Sequence, residues 1–125
     1  MNHIEGLKRM IDRQLEQGKQ EEELKREETA SLFAERSRIH LIIKGKVQGV
    51  FFRAFIEKTA DELKLAGFVR NKEDGTVEVV TEGEKPALEQ LITACRKGPR
   101  SAGVTDIDVK WEKFKGEFGD FMVKD

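Results

Sequence analysis

The sequence predicts an α+β sandwich: two helices on one face of an antiparallel sheet, with a charged helical extension in front. Three observations carry this reading. From residue 38 onward, alternating and helix-periodic apolar stretches succeed one another in the order β-α-β-β-α-β, with a short further strand at the end. Both helical stretches are apolar on one side only, as a two-layer arrangement requires. Before residue 38 the composition is different, rich in charged helix formers.

That first segment, residues 1–37, carries apolar side chains at Ile4, Leu7, Ile11 and Leu15, one face of a helix or the start of a coiled-coil seam. Gly18 interrupts the seam, and Leu24, Leu32 and Phe33 resume it weakly. The preferred reading is a solvated, partly frayed helix. Its functional alternative is a helix for self-association or partner docking. Neither makes the segment catalytic, and the folded domain is assigned to residues 38–125.

Within the domain, "RIHLIIKGKV" places Ile39, Leu41 and Ile43 on one face of a strand and Arg38, His40 and Lys44 on the other. In "FRAFIEKTADELKLAG", Phe52, Phe55, Ile56, Thr59, Ala60 and Leu63 share a helical face, with Gly67 expected as the helix-end residue. "FVRNKEDGTVEVVTEG" is two strands about an Asp74-Gly75 turn. A second helix starts with Pro86 in its first turn, aligns Leu88, Leu91, Ile92 and Cys95, and stops at Gly98-Pro99. Val104, Ile107, Val109 and Trp111 read as a strand, and "DFMVKD" as a short last one.

Charge and cysteine usage narrow the function. Lys plus Arg number 23 and Asp plus Glu 24, a net charge of −1, unlike the basic surface of a nucleic-acid coat. Anion recognition must then come from a local site. No stretch approaches the roughly 20 apolar residues of a membrane span, and the charged start does not suit a signal peptide. Cys95, the single cysteine, has no disulfide partner, and no His or Cys cluster resembles a metal site. A reduced cytoplasm is the expected compartment.

The chemistry concentrates in "KGKVQGVFFRAF", where a strand meets a helix through glycines. A helix N-terminus offers N–H groups without intrahelical acceptors and the positive end of the helix dipole. Flexible residues before it let several N–H groups converge into an anion cradle. Gly45 and Gly49 supply that freedom, Val47 and Val50 anchor the loop, and Arg53 can close over a phosphoryl group with paired hydrogen bonds. On physics alone an equal alternative stands: the glycines only turn the chain, and Arg53 is a surface residue.

"GKVQGVFFR" resembles the acylphosphatase signature, and "GFVRNKEDGTVEV", "KGPRSAGV" and "FGDFMVKD" are similar to further parts of that family, in order from Arg38 to the end. The resemblance implies a ferredoxin-like fold and hydrolysis of the carboxyl–phosphate anhydride of acyl phosphates, with no cofactor or metal. It implies Arg53 as phosphate-binding catalytic arginine, Asn71 as the residue positioning the attacking water, and Gly45, Lys46, Val47, Gln48, Gly49 and Val50 as the phosphate cradle. The expected partners are small acyl phosphates, not nucleic acid or membrane.

Other polar residues take lesser roles in this reading. Asp74 belongs to turn chemistry. Lys44, Lys46, Arg70 and Lys72 add local positive potential or are solvated surface. His40 is a surface or packing histidine, Cys95 a buried thiol, and Trp111 sits at core-like spacing. Two other functions compete: a carbamoyl-phosphate-handling module, whose longer proteins carry zinc segments absent here, and a non-catalytic phosphate-binding or protein-interaction module on the same fold.

Overall fold

Alternation at Ile39, Leu41 and Ile43 does produce a strand. In the computed structural model, which describes residues 35–125, strand β1 is Arg36–Lys46 and those three side chains are fully buried. It starts two residues ahead of the boundary read from composition. The helical reading of residues 1–34 lies outside the described residues.

After β1 come helix α1 (Phe52–Glu62), the hairpin β2 (Ala66–Asn71) and β3 (Val77–Glu84), helix α2 (Lys85–Lys97), β4 (Gly103–Lys113) and β5 (Phe121–Lys124). The sheet order is β4-β1-β3-β2-β5. Neighbours among the first four are antiparallel, as expected, but β5 lies parallel to β2 and makes the sheet mixed. The chain crosses from one sheet edge to the other between β4 and β5, so it arrives running the same way as β2.

Helical periodicity in the sequence becomes the packing of the two layers. Phe52, Ile56 and Ala60 of α1 and Leu88, Leu91 and Cys95 of α2 join Ile39, Leu41, Ile43, Val69, Val77 and Val79 in one core. Each fully buried aliphatic of this kind contributes about 1.5–3 kcal/mol relative to exposure. The uneven step from Val104 to Ile107 has a cause in the pairing. Lys44 faces Asp106 and Gly45 faces Val104, so Thr105 is the extra residue of a β-bulge and both apolar side chains turn to the core.

Two expectations are corrected. Gly67 is not the helix end: α1 stops at Glu62, Lys64 takes the left-handed conformation at φ 57°, and Gly67 lies inside β2. A Cβ at Gly67 would sit 2.0 Å from the Val80 carbonyl oxygen, so the residue is set by close backbone approach to β3. Trp111, expected in the core, is 40% exposed on the edge strand, with the Lys85 ammonium 5.7 Å from its ring.

On the face away from the helices the sheet is ionic. Glu78 accepts from Arg70 and pairs with His40, and Lys44 bonds Asp108 at 3.0 Å. Glu82, only 3% exposed, accepts the backbone N–H groups of Lys115, Gly116 and Glu117 and lies 3.8 Å from Arg38. Burial pushes its carboxyl up, but these N–H groups and Arg38 outweigh that and hold it below the ordinary range. One carboxylate thereby folds the β4–β5 connection onto the sheet. Among the described residues no helix is long and apolar enough to cross a membrane.

Candidate active site

The C-terminal ends of β1 and β2 and the start of α1 meet at one end of the sheet. Gly45 and Lys46 are still part of β1. At φ 120°, Gly45 lies so close to β4 that a Cβ would come 2.1 Å from the Gly103 carbonyl oxygen. The connecting loop is therefore residues 47–51. Val47 and Val50 are buried and hold it down, and the Ser101 hydroxyl donates to the Val50 carbonyl at 3.3 Å.

Gln48 ties the loop sideways. Its Nε2 donates to the carbonyls of Lys72 and Thr76, at 2.7 and 2.9 Å, on either side of the hairpin turn. Gly49 has φ 71° and open space where a Cβ would point. Phe51 follows at φ 60°, ψ 24°, a left-handed conformation that a bulky residue seldom adopts.

Helix α1 begins there without help. No side chain caps it and no acidic residue lies in its first turn. Its first backbone bond runs from the Phe55 N–H to the Phe51 carbonyl at 3.1 Å, so the N–H groups of Phe52, Arg53 and Ala54 have no intrahelical acceptor. The positive end of the helix dipole thus has no acidic residue within its own first turn.

Arg53, in this first turn, donates from Nη1 to the Lys124 carbonyl of β5 at 3.1 Å, with Asp125 Oδ1 3.8 Å away. Asn71 ends β2 on the helix side of the sheet, in register with Val77. Its Oδ1 is buried and has no hydrogen-bond partner among the described residues, an arrangement that costs free energy unless something occupies the site.

Arg53, Asn71, Val47 and Gly49 all line one pocket of ≈ 370 Å³. Of the other expected cradle residues, Gly45 and Lys46 belong to the strand, Gln48 bonds to the hairpin and Val50 packs below; none of the four lines the pocket. Four lining residues escaped the sequence reading: Phe51, Ala54, Glu57 and Val123. Glu57 had a usable signal, since it stands one helical turn after Arg53. Val123 had none, because its place depends on the parallel pairing with Val69.

Two of the flanking cations, Lys44 and Arg70, are engaged with carboxylates. The Lys44 ammonium is raised above its ordinary 10.5 by its hydrogen bond to Asp108. Burial pushes Glu78 up, yet its bonds to Arg70 and His40 hold it below the usual carboxylate range. Burial raises the Cys95 thiol to about 12, which leaves it an inert core side chain. Among the described residues no group of three or more His, Cys, Asp or Glu is placed to hold a metal ion.

Comparison with known proteins agrees with this geometry. A family model described as Acylphosphatase matches residues 39–123. An acylphosphatase from Pyrobaculum arsenaticum is 49% identical over 90 residues, 71% of this chain and 95% of that protein. One from Pyrobaculum calidifontis is 49% identical over 87 residues, 69% and 79% of the two chains. The crystal structure of acylphosphatase from Bacillus subtilis superposes with a TM-score of 0.69 at 38% identity, over 70% of this chain and 98% of the other.

Proposed function

The chain belongs to the acylphosphatase family, and on that premise we propose that Arg53, Asn71 and the N–H groups at the start of α1 carry its acyl-phosphate hydrolysis. The supporting observation is one pocket that joins a guanidinium, an uncapped helix start and a buried amide oxygen without a partner among the described residues.

The phosphoryl group seats against the uncommitted N–H groups and Arg53. Its charge, spread over the equatorial oxygens in a loose transition state, is stabilised most where those donors are fixed in advance. Asn71 Oδ1 accepts a hydrogen bond from water and turns an oxygen lone pair towards phosphorus. Water oxygen bonds to phosphorus as the phosphorus–acyl oxygen bond breaks, and the carboxylate leaves with the electron pair. Its conjugate acid has a pKa near ~4, so it departs without a general acid. The water proton passes to a phosphoryl oxygen, which yields inorganic phosphate. A neutral amide suffices because the attacking water needs little early deprotonation.

Small acyl phosphates are the substrates. A cytoplasmic setting without nucleic-acid or membrane partners completes the proposal, supported by the net charge of −1 and the single buried Cys95.

Benzoyl-phosphate hydrolysis in excess EDTA tests the assignment. Arg53→Ala and Asn71→Ala should each lower kcat/KM by ~10²–10³, the usual effect of one charge-stabilising donor, and Arg53→Ala by more because it also binds substrate. Circular dichroism should show both variants folded. Turnover that survives in either variant within a few-fold would remove that residue from the mechanism.

A further inference from the structure

Phe51 is 84% exposed although it is a large apolar side chain, and its backbone is held at φ 60°. Neither fact helps the fold: the ring is out of the core, and the conformation is an unfavourable one for phenylalanine. Such an outlier points to a role in a site. Phe51 lines the same pocket as Arg53 and Asn71. Val123, 38% exposed at the end of β5, and Ala54, on the exposed side of α1, line it too. Glu57 is the only carboxylate among the lining residues.

The phosphoryl end of an acyl phosphate uses the polar part of this lining, which leaves the apolar part for the acyl group. We infer that Phe51 and Val123 form an apolar rim that binds the acyl portion of the substrate, favouring uncharged aromatic or branched acyl phosphates over acetyl phosphate. This rests on the hydrolase reading above and adds the substrate class. Glu57 works in the same direction, since a carboxylate in the lining repels acyl groups that carry their own negative charge. The left-handed conformation has a use in this arrangement: it turns the ring outward instead of letting it pack beneath the loop as Val50 does.

Measuring kcat/KM for benzoyl phosphate and acetyl phosphate in the wild type, Phe51→Asn, Phe51→Tyr and Val123→Ser tests the rim. Asparagine tolerates a left-handed backbone, so Phe51→Asn removes the ring and keeps the loop. The benzoyl-to-acetyl ratio should fall about 3- to 10-fold in Phe51→Asn, the effect of one aromatic contact, and recover in Phe51→Tyr. The loss should lie in KM more than in kcat, as expected of binding that is equal in ground and transition states. Val123→Ser should lower the ratio less. A ratio unmoved in both Phe51→Asn and Val123→Ser, or equal losses on both substrates, would overturn the rim while leaving the hydrolase intact. Wild-type turnover of neither substrate would overturn the hydrolase reading itself.

Discussion

Two corners at the same end of the sheet, residues 47–51 and residues 72–76, are built from similar material and treated in opposite ways. Each contains a glycine at positive φ, 71° for Gly49 and 90° for Gly75, with open space beyond it. The hairpin corner satisfies itself. Asp74 Oδ1 accepts from the Thr76 N–H at 3.0 Å and from its hydroxyl at 2.6 Å, while Lys72 N–H bonds the Thr76 carbonyl at 2.9 Å. At the strand-to-helix corner no side chain caps the helix and no acidic residue lies in its first turn. What separates a self-satisfied turn from an open one is therefore not glycine but whether a neighbouring oxygen has already taken the N–H groups.

If that is the distinction, supplying an oxygen to the open corner should spoil it. Ala54 is exposed in the first turn of α1 and lines the pocket. Ala54→Glu should raise KM for acyl phosphates roughly 5- to 10-fold through repulsion of the phosphoryl group. The same carboxylate should stabilise the fold by about 0.3–1 kcal/mol through the helix dipole. Denaturant unfolding and steady-state kinetics on one preparation would show the two effects with opposite signs. A variant that lost stability and kept its KM would break the comparison.

A smaller effect separates the two glycines. Gly49→Ala and Gly75→Ala should each cost about 1–2 kcal/mol, the strain of a left-handed alanine, since neither Cβ meets another atom. Equal losses of stability should accompany unequal losses of turnover, with only Gly49→Ala slowing hydrolysis. The smallest effect belongs to Asp74→Ala, which should lower Tm slightly and change turnover less than about twofold. The Thr76 hydroxyl and N–H hold the Asp74 carboxyl below its ordinary 3.8, so its contribution is complete above that pH and disappears as pH falls through the lowered value. The Tm difference between wild type and Asp74→Ala should shrink to nothing in acid.

Much of the fold was legible because it depends on neighbours close in sequence. Alternation located β1, the 3.6-residue period located both helices, and Asp74-Gly75 located the hairpin turn. Pairing across the sheet was not legible. Gly67 looks like a helix terminator until the carbonyl of Val80, thirteen residues away, is placed against it. The bulge at Thr105 and the parallel β5 depend in the same way on which strand comes to lie alongside. Glu82 reads as one more surface charge in a strand, yet it gathers three N–H groups from residues 115–117. At the site, Arg53 and Asn71 stood out through the motifs that hold them, while their confluence in one pocket exists only in three dimensions.

Gln48 gives the hairpin turn a constraint that its surface hides. An exposed, polar turn of five residues is ordinarily where a chain tolerates insertion and deletion most freely. Here one amide nitrogen reaches the carbonyls at both ends of that turn, Lys72 and Thr76, and so measures the distance between them. Only one loop length fits the gauge. Residues 72–76 are thus constrained in number as well as in conformation, because any change in their count would be felt at the strand-to-helix corner.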